Sequence, residues 1–388
     1  MNLNKMTASI LDEMISPSKI PGVKFDLSVG VPDEESLPSA ELLISVQNVL
    51  KKDYRSALIY AGVNGFVGLR LWIANKANQI SDNKFNEENV SLVSGSAHGL
   101  DNIARTFLDF NDVVIISSPT YNGAIRTFKA CNAEIIDINS DDQGMDIVQL
   151  QLKIDQCKKE KKNIKLLYLV SDYNNPTGES YSLERKKEIV KLCYENNILI
   201  IDDRAYAEIS FEDLVSFPLI ADINHSCVIE LGTFSKTIAT GLRVAWILAD
   251  ESIIKKLNMM RFDNGGSNLI QRTIHNFVDS PVYPDHLLRL KSIYKIKRDI
   301  VSDALQKYCL NNVEFNSPQG GFYHWVKISS NISNDVIKDR ALNKGVAINS
   351  GSVYYSNNDN KEHLRIVYSK LDQQQLEKAI KLLSECFY

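Results

Sequence analysis

Short apolar runs alternate with amphipathic segments from about residue 91 to residue 249. Compact apolar runs predict buried strands, whereas apolar positions three and four apart predict helices that pack on those strands. This alternation is typical of a doubly wound α/β sheet, in which crossover helices join parallel strands. The predicted strands are residues 113–117, 133–137, 164–170, 198–206, 227–231 and 244–249.

Helix signals accompany these strands and continue beyond them. Ser182 is a suitable N-cap for a helix whose amphipathic pattern runs to about Asn196, and a second helical pattern covers residues 99–108. Beyond Pro284, a long helical pattern runs to about Cys309. Three further strands are predicted near the C-terminus and indicate a smaller α+β region: residues 322–328, 346–349 and 364–368.

Composition narrows the class of protein. The chain has 388 residues, which is enough for a large core and two domains. With 44% hydrophobic and 24% charged residues it is typical of globular proteins, and its net charge of −4 gives no broad electrostatic reason to bind nucleic acid or an anionic membrane. No apolar run approaches the ~20 residues of a membrane span.

Residues 1–20 predict an amphipathic arm, because they lack the continuous apolar core of a secretory signal. The six cysteines are widely scattered, without the paired spacing of a metal site. We therefore expect reduced thiols, no metal and a cytoplasmic protein.

The segment of residues 232–243 carries the most informative chemistry. Lys236 lies there among small hydroxyl residues, between two runs that predict buried strands. Burial disfavours the charged form of lysine, and an uncharged amine can form a Schiff base with an aldehyde. The hydroxyls and Arg243 suit a phosphate, and an aldehyde that carries a phosphate is pyridoxal 5′-phosphate (PLP). An exposed turn lysine beside a capping serine is the alternative, and this segment alone leaves both open.

Two other polar side chains follow apolar runs in the same way. Asn175 comes after the predicted strand at residues 164–170, and Asp203 comes after the apolar run at residues 198–201 in the next predicted strand. Ligands bind at the carboxyl ends of strands in open parallel sheets. We therefore expect Asn175, Asp203 and Lys236 to converge on one crevice.

Two motifs in combination carry a family resemblance: Asn-Pro-Thr-Gly at residues 175–178, and Ser-Lys at residues 235–236 followed by Gly-Leu-Arg at residues 241–243. From about Phe25 to its C-terminus, the chain resembles fold-type-I PLP-dependent enzymes of the class I and II aminotransferase group. It is similar in particular to 2-aminoadipate and aromatic aminotransferases, and to the catalytic half of MocR-type regulators.

The resemblance implies a two-domain architecture. A large PLP-binding domain, residues 45–283, would contain a mostly parallel seven-stranded sheet. A small α+β domain would be discontinuous in sequence, formed by residues 1–44, with the N-terminal arm, and residues 284–388.

The resemblance also implies roles around the pyridine ring. Asp203 would pair with the ring nitrogen, and it is preferred to Asp202 because the family acid lies three residues before a tyrosine, here Tyr206. Asn175 and Tyr206 would hydrogen-bond the phenolic oxygen of the ring. Tyr121 would stack on the ring, although an aromatic residue at this position could equally be core packing.

The phosphate would lie in a cup at the start of a helix, where backbone N–H groups and positive charge meet. Tyr60 resembles a family tyrosine that reaches the phosphate across a dimer interface, which implies a homodimer with shared active sites. The other residues matched to this cup are Ser96, Ala97, Thr233, Ser235 and Arg243.

For the substrate, Arg365 would bind the α-carboxylate in two parallel hydrogen bonds, with a strand-edge surface ion pair as the alternative. Asn175 would add a further hydrogen bond to the carboxylate, and the backbone at Gly30 would close over the substrate.

The implied function is an aminotransferase that moves an amino group between an L-amino acid and a 2-oxo acid, with Lys236 as covalent anchor and general acid–base. Two rivals stay open. An enzyme of the same fold could catalyse elimination, cyclisation, decarboxylation or oxidation of an amino acid. The second rival is a ligand-sensing regulator. Because the similarity begins near residue 25, we expect no DNA-binding domain ahead of the aminotransferase-like region.

Overall fold

Strands and helices alternate through most of the chain. The computed structural model describes residues 6–8, 10–11, 22–212, 216–329 and 332–388. The strands in these residues are β1 (Phe25–Asp26), β2 (Val90–Val93), β3 (Val113–Ser118), β4 (Glu134–Asp141), β5 (Gly144–Met145), β6 (Ile164–Leu169), β7 (Leu199–Asp203), β8 (Val228–Thr233), β9 (Ala245–Leu248), β10 (Val313–Phe315), β11 (Tyr323–Ile328), β12 (Val346–Ala347), β13 (Asn349–Ser350) and β14 (His363–Val367). The α-helices are α1 (Ser39–Ala57), α2 (Val67–Asn78), α3 (Ser96–Phe107), α4 (Asn122–Ala130), α5 (Ile147–Lys159), α6 (Leu183–Glu195), α7 (Glu251–Met259), α8 (Asn268–Val278), α9 (Val282–Cys309), α10 (Asn334–Asn343) and α11 (Gln373–Ser384).

A large sheet of eight strands lies at the centre of the described residues, in the order β2-β9-β8-β7-β6-β3-β4-β5. Neighbouring strands from β8 to β4 are parallel, and β9 is antiparallel to both β2 and β8. The predicted mostly parallel sheet is therefore confirmed. The family resemblance implied seven strands, and the described sheet has an eighth, the two-residue β5, which is too short to produce a periodic signal.

Crossover helices join several of the parallel strands, and α6 lies where the sequence predicts a helix. Between β6 and β7, α6 begins after Ser182, whose Oγ accepts a hydrogen bond from the backbone N of Arg185 at 3.2 Å. This confirms the predicted N-cap. The buried face of α6 includes Ile189, Val190 and Cys193, which pack in the apolar core beneath the sheet.

A second sheet has the order β10-β11-β14-β13 and is antiparallel. Near it, β1 pairs in parallel with β12, so residues close to the N-terminus join the C-terminal region. One apolar cluster contains side chains from β1, α9, β11, β14 and α11. The strand predicted at residues 346–349 is instead divided at Ile348 into β12 and β13, which pair with different strands. The domain limits remain a prediction, and the predicted arm at residues 1–20 falls mostly outside the described residues.

No helix among the described residues is long and apolar enough to cross a membrane. In the same residues, no group of three or more His, Cys, Asp and Glu side chains could hold a metal ion. All six cysteines are described, and each is a free thiol.

Candidate active site

A cavity of about 420 Å³ lies at the carboxyl ends of the parallel strands, where they face the second sheet. Its lining includes eight of the predicted site residues: Gly30, Ser96, Tyr121, Asn175, Asp203, Tyr206, Lys236 and Arg365. The predicted convergence of Asn175, Asp203 and Lys236 is therefore seen in the structure. The other lining residues were not predicted: Ser28, Val29, Val31, Asn122, Val170, Ala205, Tyr323, Asn349 and Tyr354.

Lys236 enters the cavity three residues after β8 ends. Its Nζ donates a hydrogen bond to the carbonyl oxygen of Gly30 at 2.8 Å. Burial lowers the pKa of the Lys236 amine to about 8; the positive charges of Arg365 and Arg243 act in the same direction, and Asp203 opposes them. A lysine with this pKa is uncharged far more often than an ordinary surface lysine at neutral pH.

Asp203 faces the cavity from the end of β7. Its carboxylate accepts hydrogen bonds from the hydroxyl of Tyr168 at 2.8 Å and from the backbone N of Ala205 at 3.2 Å. Burial raises the pKa of this carboxyl group to about 6. A cationic group placed in the cavity beside it would stabilise the ionised form and lower that pKa.

The neighbouring Asp202 faces the other side of β7, because side chains alternate along a strand. It is fully buried, accepts a hydrogen bond from the backbone N of Leu219 at 3.3 Å, and lies 4.0 Å from the guanidinium of Arg204. Asp202 is absent from the cavity lining. The geometry therefore favours Asp203 as the acid that a bound group would meet.

Arg365, on β14, is buried and held from several sides. Its Nη1 donates to Oδ1 of Asn175 at 2.9 Å, and its Nη2 donates to the carbonyl oxygen of Ser28. Its Cζ lies 4.5 Å from the ring centroid of Tyr323 and 5.1 Å from that of Tyr354. The buried Nε of Arg365 has no hydrogen-bond partner among the residues that the structure describes.

The start of α3 forms a concave corner beside the cavity. Gly95, with φ +91°, precedes the helix, which has no side-chain N-cap. The Nη2 of Arg243 donates to the carbonyl oxygen of Ser94 at 3.3 Å, and a Cβ added to Gly95 would overlap this guanidinium. At the end of β8, Thr233 Oγ1 donates a hydrogen bond to Ser235 Oγ at 3.0 Å. An uncapped helix start next to an arginine suits a phosphate.

Five predicted site residues do not line the cavity. Thr233 is the last residue of β8, Ser235 lies in the turn that carries Lys236, and Arg243 comes shortly before β9. Exposed Ala97 follows Ser96 in the first turn of α3. Tyr60 is 78% exposed in the loop between α1 and α2.

Comparison with known proteins identifies the family. The profile of the family "Aminotransferase class I and II" matches residues 23–383. The chain belongs to this family. It is 28% identical to aromatic-amino-acid aminotransferase 1 of Thermococcus litoralis over 98% of this chain and 91% of that relative.

Two solved structures are similar over nearly their whole length. The multiple substrate aminotransferase of Thermococcus profundus has a TM-score of 0.92 and 28% identity, covering 100% of this chain and 98% of that one. The α-aminoadipate aminotransferase LysN of Thermus thermophilus, complexed with N-(5′-phosphopyridoxyl)-L-leucine, has a TM-score of 0.87 and 25% identity, with 99% and 96% covered. The predicted aminotransferase activity and its PLP cofactor are confirmed by these relationships.

The side chains of this aminotransferase fit PLP. Lys236 offers an amine for the aldehyde, Asp203 a carboxyl group for a ring nitrogen, and the α3 start with Arg243 a place for the phosphate. Arg365 lines the same cavity, and its guanidinium has the charge and shape to pair with the carboxylate of an amino acid.

Several residues in or beside this cavity were not predicted from the sequence. Tyr323 lies on a strand that the sequence predicts, yet alternation alone cannot show that its hydroxyl contacts Tyr206. Tyr354 ends a 3₁₀ turn that has no periodic signal. Tyr168 lies within an apolar run and resembles a core residue, although its hydroxyl holds Asp203. The pairing of β11 with β14, which brings Tyr323 to Arg365, connects distant parts of the chain.

Proposed function

We propose that this cavity is the active site of the aminotransferase and that Lys236 is both its covalent anchor and its proton carrier. The observation that carries the proposal is the meeting of three groups in one cavity: an amine of lowered pKa, a buried carboxyl group and a buried guanidinium. When bound, PLP supplies the aldehyde that captures the substrate amine and a ring that accepts the electron pair of the broken Cα–H bond.

Lys236 has the properties that a proton carrier needs. With a pKa of about 8, its amine can be uncharged and accept the proton from the substrate Cα, and it would then donate a proton to the former aldehyde carbon of the cofactor. The hydrogen bond to the Gly30 carbonyl orients the amine and connects it to the backbone that would cover the substrate. The positive charge of Arg365 supports the uncharged form.

Asp203, Tyr206 and Asn175 would hold the cofactor ring. Asp203 in its ionised form keeps a proton on the ring nitrogen, because a buried carboxylate strongly favours a neighbouring cation. Oδ1 of Asn175 accepts from Arg365, so its Nδ2 is available to donate to the ring oxygen or to a substrate carboxylate. Tyr121 lines the cavity directly before α4 and is suited to stack on the ring.

The phosphate would be bound by the start of α3 and the turn after β8. Ser96 lines the cavity there, and the first-turn N–H groups of α3, including that of Ala97, can donate to phosphate oxygens. Thr233 and Ser235 add hydroxyls, and Arg243 adds a charge that does not titrate.

A homodimer with shared active sites is part of the proposal. The loop that carries Tyr60 exposes neighbouring apolar side chains, and Phe262 is 90% exposed. Asn268, at the start of α8, donates to the carbonyl oxygen of Ile59 at 3.0 Å, which holds that loop in place. An exposed apolar surface of this kind suits a protein partner, and Tyr60 would reach the phosphate of the other subunit. Sedimentation equilibrium tests this: the mass should be twice the 43.8 kDa of one chain, and a monomer at micromolar concentration would refute it.

The substrates follow from the lining of the cavity. Among the described lining residues, Lys236 and Arg365 are the basic side chains, and four are tyrosines. Because both basic side chains already have proposed roles, neither of them is left to pair with a second carboxylate on the substrate. We therefore propose L-amino acids with neutral side chains, aromatic ones included, as amino donors and the matching 2-oxo acids as acceptors. The six free thiols are consistent with a cytoplasmic location, which we also propose.

Replacing Arg365 with lysine should raise KM for amino acids and lower kcat/KM by about 10- to 100-fold, because lysine cannot form the two parallel bonds of a guanidinium to a carboxylate. The reaction of the enzyme with a panel of amino acids can be followed by cofactor absorbance, and the oxo acid products identified by mass. This assay gives the substrate specificity of the unmodified enzyme and the KM and kcat/KM of Arg365→Lys. Arg261→Lys is the matched control, because Arg261 is also buried but pairs with Asp263 at 2.9 Å outside the cavity. An unchanged kcat/KM in Arg365→Lys would exclude this arginine as the carboxylate site.

A further inference from the structure

Tyr323 lies in the wall of the cavity and contacts groups proposed to act on both the cofactor and the substrate. Its side chain is 2% exposed. Its hydroxyl is hydrogen-bonded to the hydroxyl of Tyr206, and the two rings meet edge to face with centroids 5.3 Å apart. On another side its ring supports the guanidinium of Arg365, and its hydroxyl lies so close to Gly30 that a Cβ there would overlap it.

The direction of the Tyr206–Tyr323 hydrogen bond follows from counting protons. Burial raises the pKa of both hydroxyls, so each keeps its single proton. In its proposed role, Tyr206 uses its proton to donate to the phenolic oxygen of the cofactor ring. Tyr206 then has only lone pairs left for Tyr323, and the hydroxyl of Tyr323 must be the donor.

We propose that Tyr323 is a positioning residue that donates a hydrogen bond to Tyr206 and thereby strengthens the bond from Tyr206 to the ring oxygen. Consecutive hydrogen bonds polarise one another, most strongly in a buried site. The inference rests on the proposed role of Tyr206. It adds a second tyrosine, on β11 of the other sheet, to the control of the cofactor's electron distribution.

A purely structural role for Tyr323 makes a different prediction. Phenylalanine keeps the aromatic ring against Arg365 and Tyr206 and removes only the hydroxyl. If Tyr323 merely supports Arg365, Tyr323→Phe should leave the electronic state of the cofactor unchanged.

The readout is the pH midpoint of the visible absorbance of the holoenzyme, which reports the proton shared by the ring oxygen and the nitrogen of Lys236. Losing a donor raises the proton affinity of the ring oxygen, so the proton is retained to higher pH. We expect Tyr323→Phe to raise the midpoint by about 0.5 pH unit and Tyr206→Phe by about 1 unit. The charged groups that face Lys236, namely Arg365, Asp203 and Arg243, are intact in both variants.

The double variant tests whether Tyr323 acts through Tyr206. When Tyr206 is already phenylalanine, Tyr323→Phe should move the midpoint by less than about 0.1 unit, because the intermediate hydroxyl is gone. Tyr354→Phe is the matched control: Tyr354 also lines the cavity beside Arg365, but its hydroxyl accepts from Asn349 Nδ2 at 3.2 Å. Its midpoint should equal that of the unmodified enzyme.

The outcomes separate this inference from the proposed function. The inference is wrong, and the role of Tyr206 stands, if Tyr206→Phe shifts the midpoint but Tyr323→Phe does not. The same holds if Tyr323→Phe shifts the midpoint equally in the unmodified enzyme and in the Tyr206→Phe variant. If Tyr206→Phe does not shift the midpoint, the inference about Tyr323 and the proposed role of Tyr206 are both wrong. Should Tyr323→Phe not fold, 3,5-difluorotyrosine at position 323 is the second test: a more acidic hydroxyl donates more strongly and should lower the midpoint, and no change or a rise would overturn the inference.

Discussion

Lys236→Ala should lower kcat by about 10⁴-fold or more, because it removes both the covalent anchor and the group that moves the Cα proton. The variant would keep Asp203 in the cavity wall, and Arg243 and the start of α3 beside it, so it should still bind PLP. Steady-state kinetics with an amino acid and a 2-oxo acid measures the loss, and absorbance of the washed protein measures the retained cofactor.

Two controls make the Lys236→Ala result specific. A small primary amine such as methylamine, added to the variant, should restore part of the rate, because it can enter the space left by the side chain. Lys76→Ala removes a lysine that pairs with Glu208 outside the cavity, and it should retain the unmodified rate within a few-fold. A substantial rate for Lys236→Ala without added amine would refute the role of this lysine.

Asp203→Asn should reduce kcat by about 10²- to 10³-fold, the size of effect expected when a buried electrostatic partner of the reacting group is lost. An amide has nearly the same shape as the carboxylate and can keep the hydrogen bond from Tyr168. It carries no negative charge, so the proton on the ring nitrogen loses its counter-ion and the ring accepts electrons less well. The absorbance change in a single turnover with an amino acid measures directly the rate at which the ring accepts electrons from the substrate.

Asp202→Asn provides the matched control, because it neutralises the adjacent carboxyl group on the opposite side of β7. Its effect should fall on thermal stability, since Asp202 is buried beside Arg204, while kcat changes only a few-fold. If the two substitutions reduce kcat equally, the distinction between the carboxyl groups is wrong.

The sequence predicts the groups of this site that lie at strand ends. Asn175, Asp203 and Lys236 each follow a run of apolar residues, and parallel pairing brings those ends to one edge of the sheet. Local signals therefore sufficed for most strands of the large sheet and for the convergence of these three side chains on one cavity. Their roles in binding and catalysis remain predictions that the variants above test.

The tyrosines of the second sheet could not be found in the same way. Tyr323 contacts Tyr206, 117 residues away in sequence, and meets Arg365 only because β11 and β14 pair. Such contacts depend on strand register between distant segments, which hydrophobic alternation does not encode. The break at Ile348 has a similar origin, because β12 pairs with β1 while β13 pairs with β14.

Borohydride reduction of the PLP-loaded protein, followed by digestion and peptide mass mapping, tests the central claim most directly. Reduction fixes the cofactor on the amine that holds it. Our account predicts one pyridoxyl group per chain, on the peptide that contains Lys236. A modification spread over other lysines, or none on that peptide, would contradict it.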